Sequence, residues 1–93
     1  MSLDIFNAVA RTVMDRCIEQ LDETTAWEIY DAVVANEGTS RTQIVDDMGD
    51  DQLIAHLAME WLTYLEQNDT ATADAIDDVH VAQESAYQVI ESS

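Results

Sequence analysis

Leu3, Phe6, Ala10, Val13, Cys17 and Leu21 recur at three- and four-residue spacing, and Asn7, Arg11, Asp15 and Glu19 fill the opposite stripe. A period of 3.6 residues of this kind predicts an amphipathic helix over residues 3–21. "TAWE", residues 25–28, has the form of a capping box, with a hydroxyl at the N-cap and a carboxylate three positions later. It predicts a second helix over about 26–37, burying Trp27, Tyr30, Val33 and Val34. "SRTQ", residues 40–43, has the same form and predicts a short third helix carrying Ile44, Val45 and Met48.

Asp50 is expected to cap a fourth helix over about 51–67. Leu53, Ile54, Leu57, Ala58, Trp61, Leu62 and Leu65 cover more than half of its circumference, which predicts a central helix packed on two sides. A fifth helix, over about 71–91, turns Ile76, Val79, Ala82, Ala86, Val89 and Ile90 inward. Its outward positions are Asp74, Asp77, Asp78, Glu84, Gln88 and Glu91. Proline is absent, and the two glycines, Gly38 and Gly49, fall where the apolar period stops, as residues just past helix ends do. No alternating run bounded by turns predicts a strand. The fold class that follows is all-α: a compact bundle of about five helices forming a single acidic helical domain over residues 1–93.

Charge changes this picture more than size does. Apolar residues make up 47% of the chain, enough for one modest core and too many for a disordered tail. Against 20 acidic residues stand three arginines, Arg11, Arg16 and Arg41, and no lysine, for a net charge of −17. The acids run from Asp4 to Glu91, so the charge belongs to the folded surface. Such a surface repels phosphate backbones and anionic membranes, which excludes direct nucleic-acid binding and membrane association from the expected functions. One cysteine forms no internal disulfide, "MSLDIF" lacks the basic start and apolar run of a signal peptide, and no apolar stretch reaches the ~18–20 residues of a membrane span. A cytoplasmic location is expected.

Candidate chemistry is sparse. "VDDMGDDQ", residues 45–52, invites comparison with a calcium loop, which closes with a glutamate at its twelfth position. Counted from Asp46 or Asp47, that position is Leu57 or Ala58. His56 lies four before Glu60, and His80 lies three after Asp77 and four before Glu84, spacings that predict local ion pairs more readily than a metal site. There is no phosphate-cradling glycine loop and no nucleophile elbow. No enzyme activity and no cofactor are expected.

Residues 26–62, "AWEIYDAVVANEGTSRTQIVDDMGDDQLIAHLAMEWL", resemble the helical part of a helix-turn-helix or winged-helix domain. The resemblance implies a recognition helix, yet that helix offers Asp51, Gln52, His56 and Glu60 where a DNA reader offers Arg, Lys, Asn or Gln.

The charge density itself points elsewhere. At one negative charge per 1.7 Å of duplex, seventeen charges match about 29 Å of DNA, close to the ~30 Å length of a 20-residue helix. Carboxylates four apart on a helix, as at Asp74–Asp78 and Asp47–Asp51, lie about 5–6 Å apart, a spacing on the scale of successive phosphates. In composition and helical character the whole chain resembles the small acidic DNA-mimic inhibitors of phages and mobile elements. "EIYDAVVANEG", residues 28–38, is similar to a segment of the phage antirestriction DNA mimics. The resemblance implies a non-enzymatic inhibitor that acts in a host cytoplasm. Its targets would be restriction enzymes, CRISPR effectors or other basic nucleic-acid-binding proteins. The expected contact set is Asp46, Asp47, Asp50 and Asp51 at one helix junction with Asp74, Asp77 and Asp78 on the last helix; a homodimer stays open.

Salt adaptation is the rival reading. At molar salt, screening shrinks to ~3 Å and relieves the repulsion. Absent lysine, twelve Asp against eight Glu, and abundant Ala, Val and Thr suit a halophilic interaction or regulatory domain. Scattered acids favour that reading, and acids gathered on one or two faces favour mimicry.

Overall fold

A computed structural model describes residues 3–36 and 49–92, with side chains described for 5–33, 49 and 51–92. Four α-helices occupy these residues: α1 (Leu3–Gln20), α2 (Glu23–Asn36), α3 (Asp50–Gln67) and α4 (Ala73–Ser92). The chain is all-α throughout the described residues. The expected short helix opening at Ser40 lies outside them, as does the middle of the helix-turn-helix layout.

The helices form where apolar stripes can meet. Phe6, Ala10, Val13 and Cys17 of the predicted α1 stripe are buried, joined by Val9 and Met14, while Asn7, Arg11, Asp15 and Glu19 face solvent. From α3 come Leu53, Ile54, Leu57, Ala58, Trp61 and Leu65, and from α4 Val79, Ala82 and Ala86. Helix α3 packs against all three others, as a central helix should, and so does α1. The largest interface joins α1 to α4, where the small side chains of Ala82 and Ala86 allow close approach.

Helix α2 departs from expectation at its start. Asp22, not Thr25, is its N-cap: Thr25 N donates to Asp22 Oδ1 at 2.7 Å, and Thr25 Oγ1 donates to Asp22 Oδ2 at 2.9 Å. The hydroxyl expected to cap is spent on the carboxylate that does. The helix therefore begins three residues early and buries Ala26, Ile29, Tyr30 and Val33. At 100° per residue, this arc is turned by roughly 60° from the predicted one. Trp27 falls at its edge, 36% exposed, with its ring edge-on to Tyr30 at 5.4 Å.

The start of α3 differs too. Gly49, in extended backbone at φ −70° and ψ 163°, is the N-cap without a side-chain cap bond, and Asp50 is already helical. Helix α4 starts after Thr72, whose Oγ1 accepts from Ala75 N at 3.2 Å.

Helix α3 ends in a Schellman motif: Thr70 N donates to the Leu65 carbonyl at 2.8 Å and Asp69 N to that of Glu66 at 3.3 Å. The motif requires a left-handed residue, and Asp69 supplies it at φ 55°. An L side chain there is strained, and a carboxylate sits poorly at a helix C-terminus. Asp69→Gly should therefore raise stability by about 1 kcal/mol, read from urea unfolding at low salt. A loss of stability would show that the Asp69 side chain contributes something the backbone does not reveal.

Candidate protein-binding surface

Four helix ends converge at one end of the bundle. Helix α2 follows α1 after two residues and α4 follows α3 after five, so both hairpin turns can lie side by side. Gln20 ties them together. Its Oε1 accepts from Trp61 Nε1 at 2.9 Å, and its Nε2 donates to the Ala75 carbonyl at 3.1 Å and to Asp78 Oδ2 at 3.2 Å. One amide thereby joins α1, α3 and α4.

Residues 19–24 and 66–78 make up this end, and they carry eight of the fifteen described acidic side chains. These are Glu19, Asp22, Glu23, Glu66, Asp69, Asp74, Asp77 and Asp78, with no Arg, Lys or His among them. All are exposed except Asp78, which is half-buried under its bond to Gln20. Helix electrostatics accounts for some of them. Asp22, Glu23 and Asp74 lie at helix N-termini, where negative charge is favoured. Glu19, Glu66 and Asp69 lie at helix C-termini, against the local field. Helix stability does not explain those three.

Among the described residues Asp22 is the one carboxylate held below its ordinary range, first by the Thr25 amide and then by the Thr25 hydroxyl. A depressed folded value means the cap contributes fully above the ordinary Asp pKa and is lost as pH falls through the folded one. One turn away, burial pushes the Cys17 thiol up to about 12, with the Asp22 charge acting in the same direction. Cys17 is buried and free, which makes it an inert thiol.

The expected contact set is divided by the fold. Asp74, Asp77 and Asp78 belong to the convergent end. Asp51 is exposed in the first turn of α3, about 24 Å along the helix axis from Gln67. Asp50 is the first residue of α3, with its side chain outside the described set, and Asp46 and Asp47 lie outside the described residues altogether. Glu19, Asp22, Glu23, Glu66 and Asp69 were not legible as site members, because they join the surface only through the meeting of the two turns. Gln20 did carry a signal, since it is a polar residue on the apolar stripe three positions after Cys17.

Arg11 Nε lies 3.7 Å from Asp15 Oδ1, an exposed pair at i,i+4 spacing and of small energetic value. It is the one ion pair among the described residues. The exposed His56 and His80 make no ion pair with Glu60, Asp77 or Glu84, contrary to the expectation from their spacing. No group of three or more His, Cys, Asp or Glu side chains among the described residues is placed to hold a metal ion. The acids point outward as an array and do not converge on a centre. Among the described residues no helix is long and apolar enough to cross a membrane. Compared with protein-family models, curated proteins and solved structures, the chain gives no match.

Proposed function

We propose that the protein is a non-enzymatic interaction module that presents carboxylates in place of phosphates and blocks a basic, nucleic-acid-binding protein of the host-defence type. One observation carries this reading: eight acids with no counter-ion among the described residues gather where four helix ends meet. Rigid helix ends hold them at fixed spacing, which a partner built to grip phosphates can use. The partner approaches a field of one sign, so association is fast at low salt and slows as salt rises.

The seven described acids on other faces favour the rival reading, a salt-adapted small helical interaction or regulatory domain. Two measurements separate the readings. A mimic stays folded at ~0.1 M salt, whereas a halophilic domain unfolds there and folds in molar KCl. Basic proteins captured on the immobilised chain should be released by duplex DNA. Asp74→Asn with Asp77→Asn should then weaken capture at least about tenfold at low salt, and Asp51→Asn with Glu91→Gln by much less. Equal effects at the two ends, or no release by DNA, would reduce the acids to a solvated surface.

A further inference from the structure

We infer that the groove between α2 and α3 is a receptor for one arginine side chain of a protein partner. Glu28, Ile29 and Ala32 line it from α2, and Glu60, Tyr64 and Gln67 from α3. Its apolar lining is Ile29, buried, with Ala32 and Tyr64, half-buried, and the hydroxyls of Thr25 and Thr63 lie beside them. Each wall contributes one carboxylate. Glu28 and Glu60 stand on different helices, and neither has a hydrogen bond or counter-ion among the described residues. Glu60 is half-buried in the groove wall. Arg11 and Arg16 both belong to α1 and do not line the groove.

Among the described residues no cation faces these two carboxylates, and a guanidinium matches the pair best. Its alkyl stem covers Ile29 and Ala32, its planar face rests on the Tyr64 ring, and its five N–H donors divide between two carboxylates. An ammonium supplies the charge without the plane. Gln67 closes α3 at the convergent acidic end, so the groove opens beside that surface and an arginine entering it would be anchored at the edge of the array. The inference rests on the proposed basic partner for its biological occupant, but the chemistry of the groove is testable without that partner.

The test is an NMR titration of the full chain with N-acetyl-arginine amide and, separately, N-acetyl-lysine amide at 0.15 M salt. Arginine should shift the resonances of Ile29, Glu60 and Tyr64 most and bind several-fold tighter than lysine. Glu28→Gln with Glu60→Gln should weaken arginine binding by about tenfold or more. Asp74→Asn with Asp77→Asn, an equal loss of charge elsewhere, should change it by less than about twofold. Shifts spread over all the acids, equal weakening by both double variants, or equal affinity for lysine would each overturn the assignment. If the arginine probe binds as described but DNA releases no captured protein, the mimic reading alone fails. If the probe does not bind while DNA-sensitive capture persists, the groove assignment alone fails.

Discussion

Replacing Trp61 with alanine should lower the free energy of unfolding by about 3–5 kcal/mol. The indole is 1% exposed and is the largest fully buried side chain. Its removal leaves a cavity beside Leu57 and Leu65 on α3 and strips Gln20 of the donor that its Oε1 accepts. A small domain has only about 5–15 kcal/mol in total, so the variant should be close to unfolded at 37 °C. Trp61→Phe divides the effect: it keeps most of the apolar volume and loses the N–H, leaving a partly buried acceptor unpaired at a cost of about 1–3 kcal/mol. Circular dichroism in urea measures both. A cost below about 1 kcal/mol for Trp61→Ala would mean that the junction is not packed around the indole.

Stability should fall as pH rises above about 8.5–9, with a slope of about 1.4 kcal/mol per pH unit contributed by Cys17 alone. The sign follows from the raised folded value. Below the unfolded thiol's pKa both states are protonated and the contribution is complete. Above it the unfolded chain ionises and the folded one does not until about pH 12, so proton release favours unfolding. Cys17→Ala should remove this slope between pH 8.5 and 9.5, a window below the ordinary ionisation of unfolded tyrosines. The same burial should make the native thiol slow to alkylate, so labelling reports opening of the α1 interface. An unchanged alkaline slope in the variant, or rapid labelling of the folded chain, would refute the assignment.

Apolar periodicity carried most of the fold. The buried faces of α1, α3 and α4 follow from stripes of six or more positions, and no local alternative competes with them. Helix α2 was misread because two capping residues, Asp22 and Thr25, stand three apart. Only the three-dimensional hydrogen bonds show which one caps, and that choice decides whether Trp27 lies in the core or at its edge. The acidic surface was legible only in part. Asp74, Asp77 and Asp78 are visible as a cluster along the chain, but Glu19 and Asp22 are more than fifty residues away from them. Tertiary packing through Gln20 makes them neighbours, and it leaves Asp51 at the far end of a helix that the sequence alone made seem close by.

The pairing of α1 with α4 also sets the order in which the chain can assemble. Each hairpin closes over a turn of two or five residues, but the Gln20–Ala75 contact spans 55 positions and belongs to the largest interface. Closing that longer loop costs about 2 kcal/mol more in chain entropy than closing a five-residue turn. The long-range seam should therefore form last, after the two hairpins, and substitutions at Ala82 or Ala86 should accelerate unfolding far more than they slow folding. A protein whose charges repel one another so strongly then meets its steepest electrostatic barrier at the docking step, where the two acid-bearing turns are brought together, and added salt should speed folding chiefly there.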